Sequence, residues 1–304
     1  MATYEDVDIF DVMKHMDIRD AIKLSLTDRR AYLISQTDMF WRFFLKRDYP
    51  LFVIDKDENL QSAYRKIYSN KDVKKIDMKS GETFEQFRYH QNLNSFYCDN
   101  DQLTSLVGCP PCRILGCSNN RLASLVGCPS NVRILHCANN ILTSLVGCPE
   151  SIKILDCSNN GLTSLVGCPA SVENLYCHDN QLTSLFGCST CKILHCDNNQ
   201  LTSLIGCPAS VENLNCSNNR LTSLVGCPES VKILDCGSNI LTSLDGCPVS
   251  VEKLWCNHDF LQTLHIYLPR IWNITYHNNP LIPPWNEYSK EQIMDIMRDP
   301  AYHE

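Results

Sequence analysis

The sequence has no basic tract. Its 27 Lys and Arg are dispersed among 34 Asp and Glu, giving a net charge of −7 and a pI of about 5.7 over 304 residues. Nucleic-acid binding needs a positive footprint, so nucleic acid is not an expected partner. No apolar run approaches the roughly 18 residues of a membrane helix, which removes the membrane as well. The acidic start, Met-Ala-Thr-Tyr-Glu-Asp-Val-Asp, has no apolar core of a signal peptide. A soluble, intracellular and cytoplasmic protein is expected. There is no Gly-rich phosphate loop and no nucleophile set beside a base. The expectation is therefore a protein that is not an enzyme and carries no cofactor and no metal.

Cysteine, by contrast, is abundant: there are nineteen. In a small secreted chain that number would mean a disulfide scaffold. Here the cysteines follow a period. Nine form one column (Cys98, Cys117, Cys137, Cys157, Cys177, Cys196, Cys216, Cys236, Cys256), and eight a second (Cys109, Cys128, Cys148, Cys168, Cys188, Cys207, Cys227, Cys247). Only Cys112 and Cys191 remain. They read as reduced thiols that serve as small apolar core residues.

The period belongs to a repeat array from about Leu93 to Asn279. One unit, Val132 to Pro149, reads V-R-I-L-H-C-A-N-N-I-L-T-S-L-V-G-C-P and returns almost unchanged every 20 residues. Self-similarity at that period marks a solenoid. Ten copies start at Leu93, Cys112, Val132, Ile152, Val172, Cys191, Val211, Val231, Val251 and Ile271. Leu135-His136-Cys137 alternates as a strand does, with Leu and Cys inward and His outward. The Asn that follows sits where the chain leaves the strand, and its amide can satisfy the backbone groups left there. Twenty residues leave no room for a helix on the return path. The pattern resembles the leucine-rich repeat, with Cys at its third apolar column, in the short class close to bacterial effector repeats. The resemblance implies a curved parallel sheet whose inner face binds a partner.

A longer period overlies the first. Glu150–Cys157 returns at Glu229–Cys236, and Ser171–Cys177 at Ser250–Cys256, both offset by 79. The array reads as a duplicated block of four repeats. The block also carries two C-x-x-C sequences, Cys109-Pro110-Pro111-Cys112 and Cys188-Ser189-Thr190-Cys191. At about 4.8 Å per strand they stand roughly 19 Å apart, too far to share an ion. Packing is the favoured reading, and a metal or redox role the minor one. His178, His195 and Asp197 cluster on adjacent strands and read as ordinary polar residues of a sheet face.

Residues 1–48 have another texture: three short amphipathic helices, without repeats. The run Asp8 to Arg30, followed by Phe40-Trp41-Arg42-Phe43-Phe44, resembles the F-box, with Asp8-Ile9 where that family has Leu-Pro. The resemblance implies docking on a Skp1-type adaptor of a cullin–RING ubiquitin ligase through Ile9, Phe10, Met13, Ile18, Ile22 and Leu26. Residues 49–92 read as a helical linker and N-terminal cap. Ser69 to Gly81 looks like a polar linker, and Phe84, Phe87 and Tyr89 cover the open end of the array. Residues 93–284 are the solenoid and 285–304 a capping helix, with Ser289 and Gln292 as its capping box.

The expected fold is thus a leucine-rich-repeat solenoid of about ten repeats behind a small F-box-like helical domain. An unidentified protein target is expected on the outward strand positions: Tyr97, Ile134, His136, Ile154, Asp156, Tyr176, His195, Ile233, Asp235 and Trp255. The whole resembles the F-box/repeat proteins of giant DNA viruses, which implies a substrate-recruiting adaptor at work in host cytoplasm. The alternative is a repeat binding module with no ubiquitin role.

Overall fold

The computed structural model describes residues 75–87 and 93–303. The chain divides into two units, and the account below concerns the one that comprises Lys75–Glu85 and Leu93–Glu304. The F-box-like run, with Ile9, Phe10, Met13, Ile18, Ile22 and Leu26, lies outside the described residues, as does Tyr89.

Eleven strands form one parallel, curved sheet whose spatial order is the order of the sequence. They are β1 (Lys75–Asp77), β2 (Leu93–Tyr97), β3 (Cys112–Gly116), β4 (Ile134–His136), β5 (Ile154–Asp156), β6 (Asn174–Tyr176), β7 (Ile193–His195), β8 (Asn213–Asn215), β9 (Ile233–Asp235), β10 (Lys253–Trp255) and β11 (Asn273–Thr275). Pairing is in register, so Leu115, Leu135, Leu155 and Leu175 face one another along the stack. From β4 to β11 each strand buries its middle residue and leaves its two flanking residues half-buried. That is the alternation of a strand with one face on the core.

A typical repeat fully buries five apolar side chains: Val132, Leu135, Cys137, Leu142 and Leu145. Each removes apolar surface worth about 2 kcal/mol. No repeat could bury them alone, so stacking and folding are one event. The first cysteine column adds a directional element. Cys137 Sγ donates to Asp156 O at 3.2 Å and Cys216 Sγ to Asp235 O at 3.3 Å, the carbonyls that their own backbone N–H groups also reach. A thiol is small enough for the rung and supplies a weak donor along it. All nineteen cysteines are free thiols.

The chain leaves each strand through a pair of residues with separate tasks. The first adopts φ near +55°, as at Asn119, Asn139 and Asn159. Asn tolerates that region better than other residues with a Cβ. The second forms a ladder of amides. Asn180 Oδ1 accepts from Leu162 N at 3.0 Å, and its Nδ2 donates to the carbonyls of Cys157, Cys177 and His178, each at 3.1 Å. The same pattern recurs at Asn140, Asn160, Asn199 and Asn219. On the return path Ser144 Oγ accepts from Val146 N at 3.1 Å, and Gly147 turns the chain at φ 93°. A Cβ at Gly147 would lie 2.7 Å from Val126 N of the preceding repeat, so that position requires glycine.

Both ends of the sheet are covered. The stretch read as a polar linker supplies β1, paired in parallel with β2, and brings Met78 into the core. Three residues with one apolar member carry no strand period. The exposed edge of β2 is what orders them. Phe84 lies against Phe96, ring centroids 6.0 Å apart. At the other end helix α1 (Lys290–Arg298) starts at the expected Ser289–Gln292 capping box and buries Ile293 and Met297. Leu268 N donates to Met297 O at 2.7 Å, and Arg298 Nε to Ile271 O at 2.6 Å.

Candidate functional site

The outward face of the sheet carries two stacked columns, because residues on either side of a buried strand residue point the same way. One column runs Ile114, Ile134, Ile154, Asn174, Ile193, Asn213, Ile233, Lys253 and Asn273. The other runs Tyr97, Gly116, His136, Asp156, Tyr176, His195, Asn215, Asp235, Trp255 and Thr275. All ten sequence-selected target residues lie on this face, and all ten are half-buried. The isoleucines were expected to be exposed. Rungs about 4.8 Å apart shield them on both sides, so they are partly covered before any partner arrives.

Contacts along the columns hold these side chains in place. The Tyr97 ring lies over Gly116, where a Cβ would come within 2.5 Å of Tyr97 Cδ1. His136 Nδ1 stands 3.9 Å from Asp156 Oδ2, and Asp156 Oδ1 accepts from Ser158 Oγ at 2.7 Å. The Asp156 carboxylate beside it raises the His136 pKa against the opposing effect of burial. Burial raises the Asp156 carboxyl, but the nearby His136 and the hydrogen bonds from Ser158 outweigh it and hold it low. Tyr176 and His195 meet edge to face at 5.1 Å. Burial lowers the His195 pKa, and burial raises that of Asp235, whose carboxylate accepts from Gly237 N at 3.2 Å. His178 pairs with its neighbour Asp179 at 2.7 Å. Among the described residues no group of three or more His, Cys, Asp or Glu side chains is arranged to hold a metal ion.

No protein-family model matches the chain, and no curated relative does. The similarity lies in solved structures. YopM from Yersinia enterocolitica WA-314 matches with a TM-score of 0.55 at 24% identity, over 62% of this chain and 47% of that one. TLR13, solved as a complex with ssRNA13, matches with a TM-score of 0.53 at 14% identity, over 66% of this chain and 35% of that one. The chain thus spans about half of the first and a third of the second. The fold is a leucine-rich-repeat solenoid.

A second surface escaped the sequence reading. The residue after each Thr-Ser-Leu or Ala-Ser-Leu is Val107, Val126, Val146, Val166, Phe186, Ile205 and Val225, then Asp245. The seven apolar residues are 55–68% exposed. The serine-to-backbone bond two residues back turns Leu inward and leaves its successor outside, as Ser184 Oγ does at Phe186. The signal was present in the repeat as an apolar column, but a return path shows no strand period that would assign it a side.

Proposed function

We propose that this protein is a non-enzymatic binding scaffold and that the outward face of its sheet recognises a protein. The observation that supports this reading is the rigid, half-buried set of Ile134, Ile154, His136, Asp156, Tyr176, His195 and Trp255. A partner here meets aromatic and branched side chains already fixed by their rungs, so little conformational entropy remains to be lost on binding. Aromatic anchors set in partly desolvated surroundings are what interfaces depend on. The ssRNA of the TLR13 structure is not carried over, since a chain of net charge −7 lacks the positive footprint that RNA requires. Affinity capture from a cell lysate tests the reading. A Tyr176→Ala/Trp255→Ala double variant is expected to lose bound proteins that a Val146→Ser/Val166→Ser ridge variant retains. Equal capture by both would show that the face is not the binding surface.

A finer reading rests on the run Asp8 to Arg30 with Phe40 to Phe44. In it the N-terminal segment docks on a Skp1-type adaptor and the sheet presents the captured protein to a cullin–RING ligase. The full chain is then expected to bind purified Skp1, and Ile9→Asp/Ile22→Asp to abolish binding while leaving the solenoid's partner in place. No complex between the wild-type chain and Skp1 would reduce the reading to the scaffold alone.

A further inference from the structure

Two connections in the array are one residue shorter than the others, and one of them gathers thiols. In an ordinary connection the second-column cysteine and the next inward residue are four apart, as Cys148 and Ile152, and Ile152 N closes the turn on Pro149 O at 3.3 Å. Between Cys188 and Cys191 the separation is three, the turn proline is absent, and a cysteine replaces the aliphatic residue. The deletion draws the two columns together, leaving Cys188 Sγ 3.8 Å from Cys191 Sγ. From the preceding repeat the half-buried Cys168 lies beside the same Cys188 sulfur and favours its thiolate. The loop is also looser at this point. Cys188 N reaches Leu185 O at 3.5 Å, whereas Cys148 N reaches Leu145 O at 3.0 Å.

We propose that Cys188 and Cys191 form an oxidation site, a dithiol that hydroperoxides convert reversibly to an intramolecular disulfide, with Cys168 as a third thiol within reach. Cys188 is the attacking sulfur. Cys168 and then Cys191 favour its thiolate against the effect of burial. Cys188 and Cys191 are 5% and 2% exposed, which favours a small peroxide over a bulky reagent. The Cys188 thiolate attacks one peroxide oxygen, the O–O bond breaks, and the departing hydroxide takes the proton that Cys188 gave up. The sulfenic acid so formed is attacked by the Cys191 sulfur. The S–O bond breaks, and water leaves with the Cys191 proton. Two thiols lose two electrons and hydrogen peroxide becomes two waters. Closure asks the sulfurs to approach by under about 2 Å. The sister pair Cys109 and Cys112 is held by two prolines, and Cys109 N keeps its turn bond to Leu106 O at 3.0 Å, so the site is confined to the second pair.

Peptide mapping of the full-length protein after limiting hydrogen peroxide, followed by unfolding in N-ethylmaleimide, tests this. The thiol count is expected to fall from nineteen to seventeen. The link should map to Cys188–Cys191, form at least tenfold faster than any loss at Cys148 or Cys207, and open with dithiothreitol. Those two reference thiols are half-buried and therefore more accessible. In Cys191→Ser oxidised and then unfolded in the presence of dimedone, Cys188 is expected to carry dimedone or to be joined to Cys168. Nineteen intact thiols, or loss at Cys148 and Cys207 at the same rate, would overturn the proposal. An unmodified Cys188 in Cys191→Ser would overturn its role as the attacking sulfur.

Discussion

Asp259 stands in the asparagine ladder where a carboxylate cannot do the work of an amide. Its Oδ1 accepts from Asn239 N at 2.9 Å, but its Oδ2 is buried without a partner. Burial pushes its pKa up to about 6, against 3.8 in the unfolded chain. The folded state therefore holds this proton more tightly, and stability falls as pH rises from about 4 to about 6. Asp259→Asn removes that loss and supplies an amide that can donate to the carbonyls of Cys236 and Cys256, as neighbouring ladder residues do. The variant is expected to be more stable by about 2 kcal/mol at pH 7.5, with the gain vanishing below about pH 4. Urea midpoints across pH check this, and a pH-independent difference would refute it. One residue earlier in the pattern, Ser238 holds φ 57° where most repeats have Asn. Ser238→Asn relieves strain and should stabilise by about 0.5–1 kcal/mol in the same titrations.

At the scale of one repeat, the strand contributes a single buried residue and the amide ladder sets the geometry. Asn180→Ala deletes four hydrogen bonds and leaves Leu162 N without its acceptor, while the carbonyls of Cys157, Cys177 and His178 keep the donors Asn160 Nδ2, Asn199 Nδ2 and Asn159 N. A loss of about 1–3 kcal/mol is expected, because a buried N–H becomes unsatisfied. Hydrogen exchange should localise the opening to the repeats on either side, and uniform loosening of the array would argue against a ladder role. The ladder's position could be read from the sequence, since Asn recurs where the chain leaves each strand. That its partner in the pair takes positive φ could not, because Asn-Asn has no pattern that assigns the two tasks. Strand β1 was likewise hidden. Its three residues are ordered by the edge of β2 rather than by their own composition.

Over the whole molecule, repeats touch only their neighbours, so the ends govern how the array comes apart. Met297→Ala in α1 removes a fully buried side chain from the C-terminal cap. It should cost about 2–4 kcal/mol. Amides of β10 and β11 are expected to exchange faster while those of β4 to β6 keep their protection. An even change along the sheet would show that the cap is not a local lock. The same geometry leaves two long surfaces, the half-buried sheet face and the ridge from Val107 to Val225. No helix among the described residues is long and apolar enough to cross a membrane.

By itself the sequence determined the solenoid, its period, the inward columns of Leu and Cys, the face that carries Tyr176, His195 and Trp255, and the C-terminal capping box. These follow from relations within one repeat, where alternation, turn residues and capping spacings act over a few positions. The tertiary structure decided what depends on neighbours some 19 or 20 residues away. It shields the face isoleucines, exposes the valine ridge, orders β1 on a sheet edge and strands one oxygen of Asp259. Stacking sets those distances. A single repeat, however regular, does not state how closely the next one lies upon it.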